Sequence, residues 1–156
     1  MLAEGDPAPV FALPAEDGGH LALRDFRGRW VVLYFYPKDD TEGCTIEAKE
    51  FSDLASAFEK QNTVVIGISP DSVKSHDKFR CKHDLKVRLA SDEEKVAANA
   101  YGVWVEKKMY GRTFMGVERA TFLISPKGRL ERIWRKVSAK GHAAEVLDAL
   151  NDATSS

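Results

Sequence analysis

The longest unbroken apolar run in the chain, Trp30 to Tyr36 (WVVLYFY), is β-branched and aromatic apart from Leu33. A strand reads this way when both of its faces are covered, so the run is placed at the centre of a sheet. After a loop containing Pro37 and Gly43, the residues Ile46, Phe51, Leu54, Ala55 and Phe58 recur at near-helical spacing. They predict a helix over Thr45 to Gln61 with one face on that sheet. Val64 to Ile68 reads as a second buried strand, Ser72 to about His83 as a weaker helix, Val87 to Ala90 as a short strand, and Glu93 to Tyr101 as a helix stopped by Gly102. Val103 to Gly116 reads as irregular and is long for a connection, which suggests a functional loop. Val117 to Ile124 and Leu130 to Val137, joined by Ser125-Pro126-Lys127-Gly128, predict a hairpin, and Ala143 to Leu150 a closing helix with Val146, Leu147 and Leu150 inward. Upstream, short apolar pieces around Val10 to Leu13 and Leu21 to Leu23 flank Asp17-Gly18-Gly19 and predict a hairpin on the edge of the main sheet. The polar tail Asn151 to Ser156 is expected to be disordered. Together these units predict an α/β domain: a central mixed sheet flanked by helices, with an N-terminal hairpin extension.

With 156 residues and 44% hydrophobic content, the chain is long enough for one domain with its own core over 1–156. Its 23 basic and 24 acidic residues are mixed along the chain and give a net charge of -1, which supplies no electrostatic footprint for nucleic acid or an anionic membrane. A small neutral substrate fits better. No apolar run approaches the roughly 20 residues of a membrane span, and the start MLAEGDPAP lacks a basic and then hydrophobic stretch, so a cytoplasmic location is expected. His20, His76, His83 and His142 lack ligand spacing and read as surface or packing residues; phosphate-loop patterns are absent, and no metal or cofactor is expected. Lys107, Lys108 and Arg112 in the long loop read as a solvated charge run.

The candidate chemistry lies at Cys44, where the loop leaving the central strand meets the predicted helix. Unpaired backbone N–H groups and the positive end of a helix dipole favour thiolate over thiol at such a position. A thiolate attacking an oxidant moves negative charge onto the departing atom, so fixed hydrogen-bond donors are needed around it. Thr41 offers a hydroxyl three residues earlier, the Pro37 ring is placed to cover the sulfur, and Gly43 lets the backbone come close to the oxidant. On placement alone, Cys44 reads equally well as a nucleophile or as a small, inert helix-start residue.

The spacing P-x-x-x-T-x-x-C, here Pro37, Thr41 and Cys44 between a strand and a helix, resembles the active-site motif of the peroxiredoxin family. More narrowly, GDPAPVFAL, YPKDD-T-x-G-C-T-x-E-A at Tyr36 to Ala48, and YGVWVEKKMYGRTFMGVERATFLI are similar to the PrxQ (bacterioferritin-comigratory) subfamily, from about Gly5 to Leu150. The resemblance implies a thioredoxin-like fold and reduction of hydrogen peroxide and organic hydroperoxides without a cofactor, with Cys44 as peroxidatic nucleophile. It also implies that Arg119, in V-E-R-A-T-F, stabilises thiolate and transition state, and that the Gly43 and Cys44 backbone, Thr41 and Arg119 hold the substrate. Glu47 matches the subfamily's C-T-x-E glutamate; it reads either as the residue orienting Arg119 or as a favourable charge in the first helical turn.

The chain departs from the family pattern at two positions, Glu42 in place of a usual proline and Lys49 where many members carry a second cysteine. Only Cys81 remains as an internal resolving thiol; it lies on the predicted Ser72 to His83 helix, as in some PrxQ members, and otherwise reads as inert. A disulfide needs its two Cα atoms within roughly 7 Å, so pairing Cys44 with Cys81 implies local unwinding of both helices. The resemblance further implies thioredoxin as reductant and a monomeric protein. The alternatives are a one-cysteine peroxidase served by an external thiol, and a redox sensor or holdase. A general thiol-disulfide oxidoreductase fits poorly, since the separation 81 − 44 = 37 excludes C-x-x-C.

Overall fold

A computed structural model of the chain describes residues 1–155. Its main sheet has five strands: β3 (Trp30–Phe35), β4 (Thr63–Ser69), β5 (Arg88–Ser91), β8 (Ala120–Ile124) and β9 (Leu130–Trp134), in the order β5-β4-β3-β8-β9. β3 pairs in parallel with β4 and antiparallel with β8, so the sheet is mixed and its middle strand is the one with the longest apolar run. Alternation along that run explains the layers. Val31, Leu33 and Phe35 enter one core, whereas Val32, Tyr34 and Tyr36 enter the other. The second core lies under α1 (Glu42–Asp53), α2 (Ala55–Lys60), α3 (Val73–Lys82) and α5 (His142–Thr154). The first is covered by the N-terminal hairpin β1–β2 (Ala12–Pro14, His20–Ala22) and by α4 (Val96–Ala100). Each large side chain fully buried in these layers contributes about 1.5–3 kcal/mol.

Tyr34 illustrates how tightly the second core is filled. Its register partner on β4 is Gly67, and a Cβ there would stand 2.7 Å from the tyrosine Cζ, so only glycine leaves the ring its place. The ring stacks on Phe51 of α1 at 4.7 Å, which fixes α1 against the sheet.

Several expected boundaries shift for identifiable reasons. The helix expected over Thr45 to Gln61 starts at Glu42 and breaks at Leu54 (φ -97, ψ 7) into α1 and α2, after the weak helix formers Ser52 and Asp53. The helix expected from Glu93 is only Val96–Ala100: Lys95 is left-handed, and the Asp92 carboxylate accepts the backbone N–H groups of Ala97 and Ala98. The stretch expected to be irregular, Val103 to Gly116, is largely a hairpin of β6 (Trp104–Met109) and β7 (Arg112–Val117), turning at Tyr110 and Gly111 with φ 52 and 75. Glu118 and Arg119 then separate β7 from β8, dividing the strand expected from Val117. The strand expected to reach Val137 ends at Trp134. The tail expected to be disordered is helical to Thr154, whose hydroxyl reaches Gln61 Oε1 while Asn151 meets the Gln61 amide; Ser156 lies outside the described residues. The N-terminal hairpin is a separate two-stranded sheet, yet it joins edge strand β5 through an Ala15–Ala90 bridge and the Glu16 N–H to the Leu89 carbonyl.

Candidate active site

The chain leaves β3 at Tyr36, turns through half-buried Pro37 and Lys38-Asp39-Asp40, and enters α1 with Thr41 at the N-cap. Cys44 therefore stands in the first turn of α1, 2% exposed, rather than just before the helix. Arg119, from the break between β7 and β8, points Nη2 at Cys44 Sγ from 3.4 Å and donates Nη1 to Glu47 Oε1 at 2.6 Å. Since Cys44 and Glu47 are three apart on α1, one helical face presents both groups to a single guanidinium. Gly43 has a more definite role here than access for an oxidant. A Cβ at that position would lie 3.1 Å from Arg119 Nη2, so its absence lets the guanidinium lie against the helix.

The electrostatics follow from burial. Glu47 is fully buried and only one of its oxygens is held; Oε2 has no partner among the described residues. Burial raises its carboxyl from 4.5 to about 7, with Arg119 opposing the shift. Burial works against the charge of Arg119 as well, but Glu47 and Cys44 outweigh it and hold the guanidinium above its usual range. Lys107 on β6 is lowered by desolvation and by Arg119, which brings the β6–β7 hairpin within electrostatic range of the site. Thr41 donates its hydroxyl to the Lys38 carbonyl at 2.8 Å. A carbonyl can only accept, so the Thr41 oxygen faces any further partner as an acceptor. Glu42 is exposed at the first helical position.

Cys81 lies on α3 as the periodicity predicts; it is exposed, and its Sγ stands 3.8 Å from Asp77 Oδ1. Both cysteines are free thiols, so Cys44, Arg119 and Glu47 are brought together while Cys81 stays outside that cluster.

A second polar cluster lies beside the turn, outside the groupings that the sequence pattern predicts. Asp39 is buried and accepts from Tyr36 Oη at 2.6 Å and Ser75 Oγ at 2.8 Å, and His76 Nδ1 lies 2.7 Å from its Oδ2. The Asp39 N–H donates to Asp71 Oδ2 at 2.7 Å, and fully buried His76 donates from Nε2 to the Ala90 carbonyl at 3.0 Å. Asp39, Asp71 and His76 have a ligand-like grouping, with donor atoms within 4.8 Å of one another. Their polar atoms are already engaged by protein partners, so the cluster acts as a clamp between the turn and α3. Nor is His142 a simple packing residue: Nδ1 meets Glu145 at 2.9 Å and Nε2 meets the Thr121 hydroxyl at 2.8 Å. The one readable signal was the three-residue spacing of His76 and Phe79, the buried residues of α3.

Comparison with known proteins is consistent across sequence and structure. The model of the AhpC/TSA family matches residues 4–133. The Peroxiredoxin Bcp of Bacillus subtilis is 47% identical over 148 residues, covering 95% of this chain and 94% of that protein. Among solved structures, the Xanthomonas campestris bacterioferritin comigratory protein, studied for alkyl peroxide reduction through trapped-intermediate and ligand complexes, superposes with a TM-score of 0.88 at 43% identity, covering 92% and 91% of the two chains. A cysteine-to-serine mutant of Xylella fastidiosa PrxQ gives 0.93 at 40% identity and covers 98% of each.

Proposed function

Because the chain belongs to the AhpC/TSA family, with Bcp and PrxQ peroxiredoxins as its full-length relatives, we propose that it reduces hydrogen peroxide and organic hydroperoxides with Cys44 as the attacking thiolate. The observation that carries this assignment is the Arg119 guanidinium shared between Cys44 Sγ and Glu47. The thiolate attacks one peroxide oxygen, the O–O bond breaks, and the pair it releases leaves on the other oxygen, which takes a proton to become alcohol or water. Negative charge travels away from sulfur during that step. Arg119, fixed by Glu47, offers donors to the charge both before and after transfer, while Thr41 offers an acceptor to a peroxide O–H. Pro37 fixes the exit from β3.

Cys44 is left as a sulfenic acid, which Cys81 then attacks to give a disulfide and water. The resulting disulfide is opened by a dithiol protein of the thioredoxin class. This reading is supported by the exposure of Cys81 and by the absence of a C-x-x-C pair. The protein acts as a monomer in the cytoplasm. The test adds one equivalent of hydrogen peroxide to the fully reduced protein and measures its intact mass without reductant. Loss of two hydrogens without dimerisation is expected, together with no peroxide consumption by Cys44→Ser. Gain of oxygen instead makes Cys81 a bystander and the external-thiol cycle correct; full turnover by Cys44→Ser overturns the nucleophile assignment.

A further inference from the structure

The turn that feeds Cys44 into α1 is fastened to α3 at successive levels. Asp39 holds the start and middle of the helix region through Asp71, Ser75 and His76. Asp40 holds the far end: Oδ2 takes Lys82 Nζ at 2.7 Å and Oδ1 takes His83 Nε2 at 2.8 Å. Lys82 and His83 directly follow Cys81, and Asp40 lies four residues before Cys44. One carboxylate thus spans the two segments that the cysteines occupy. Asp40 adopts a left-handed backbone (φ 58), a conformation in which aspartate and asparagine are tolerated best among residues with a side chain. A groove of about 750 Å³ lies beside Cys81, walled on the turn side by Asp39 and Asp40; Cys44 does not line it.

We infer that Asp40 is a positioning residue for the resolving step, a latch whose paired contacts to Lys82 and His83 keep the last turn of α3, with Cys81, from reaching Cys44 until they part. The inference rests on the assignment of Cys81 as resolving thiol. In the step concerned, the Cys81 sulfur supplies an electron pair to the sulfenic sulfur of Cys44, the S–O bond breaks, and hydroxide leaves with the Cys81 proton as water. Either the Asp40 contacts or the turn itself must yield first, since exposed Cys81 and buried Cys44 otherwise face different surroundings. The Asp39 cluster is buried and stays as the anchor, so α3 remains attached while its end opens. The latch sets the interval during which the sulfenic acid is open to a second peroxide, and therefore the sensitivity to irreversible oxidation.

One exposed ion pair, to Lys82, and one hydrogen bond, to His83, retard opening by about three-fold. The experiment mixes reduced protein with hydrogen peroxide in a stopped-flow fluorimeter, following tryptophan emission. It separates a phase proportional to peroxide concentration from a later phase independent of it. Asp40→Asn, which retains the backbone conformation, should leave the first phase unchanged and accelerate the second about three-fold. It should also raise, by the same factor, the peroxide concentration that half-inactivates the enzyme during turnover. A Lys82→Gln/His83→Gln variant removes the latch from the other side, away from Cys44, and should give the same acceleration. Asp84→Asn, which breaks only the neighbouring Lys86 pair, should give none. A second phase unchanged or slowed in both latch variants overturns the inference. Cys81→Ser identifies the phase: its loss there leaves the latch to be judged on the variants alone, whereas its persistence refutes Cys81 as resolving thiol and removes the inference with it.

Discussion

Replacing Glu47 by glutamine tests the electrostatic account of the site through stability rather than activity. Glu47 is 0% exposed and only Oε1 is held, so the folded state resists ionising it and raises its carboxyl from 4.5 to about 7. A tenfold change in proton affinity corresponds to about 1.4 kcal/mol, and the rise to about 7 therefore amounts to about 3 kcal/mol. A folded-state value above the unfolded one means stability fully present below pH 4.5 and lost as pH rises through 7. Between those values the folded protein binds more protons at this position than the unfolded one, and stability falls with pH. Glutamine has the shape of the protonated acid and no such dependence. Urea unfolding of the reduced wild type and of Glu47→Gln, compared across pH 4 to 8, should therefore show a difference in stability that moves by about 3 kcal/mol in favour of the variant as pH rises. Other titrating groups cancel in the comparison. A difference that stays flat across this range overturns the burial effect on Glu47, because it means that Arg119 alone keeps Glu47 ionised at its ordinary value.

Two further substitutions address the reacting face and the core beneath it. Arg119→Lys keeps the charge but replaces a planar fork with one point charge, which cannot serve Glu47 and Cys44 together; the second-order rate with hydrogen peroxide should fall about 100-fold by stopped-flow. Gly67→Ala puts a methyl group 2.7 Å from the Tyr34 ring, which Phe51 prevents from moving aside; the urea midpoint should fall by the equivalent of about 1–3 kcal/mol.

What was legible in the sequence was whatever burial stamps on neighbouring positions. β3 was readable because both of its faces are covered, and α3 because its caps lie at Ser72 and His83 as expected. The β6–β7 hairpin was not readable, for a matching reason: Met109, Tyr110, Phe114 and Met115 are exposed at 57%, 97%, 43% and 50%, so no buried face imposes a period of two. The last turn of α5 was lost because its tie to Gln61 is a polar contact 93 residues away. In the site, Pro37, Thr41 and Cys44 were visible as a local spacing. The pairing of Arg119 with Glu47 spans 72 positions and came from resemblance alone.

The Asp39 cluster exposes the deeper limit of a one-dimensional reading. Lys38-Asp39-Asp40 has the composition of a solvated turn, yet Asp39 is buried whereas Lys38 and Asp40 are exposed. Sequence pattern gives the two aspartates the same reading; the folded chain gives one to the interior and the other to the surface. The difference arises because α3 brings His76 and Ser75 beneath the turn, supplying the donors without which a carboxylate could not be buried. The same logic separates Asp39 from Glu47. Asp39 has partners for both oxygens, while Glu47 has one oxygen held and one bare. The satisfied carboxylate fixes the loop. The half-satisfied one is tolerated on α1, where Phe51, with Phe58 of α2 against it, is buried, and each ring offsets about as much as the strained carboxyl costs. The reactive cysteine is therefore suspended between a rigid turn and a destabilised ion pair, and the heavily buried sheet behind it makes both possible.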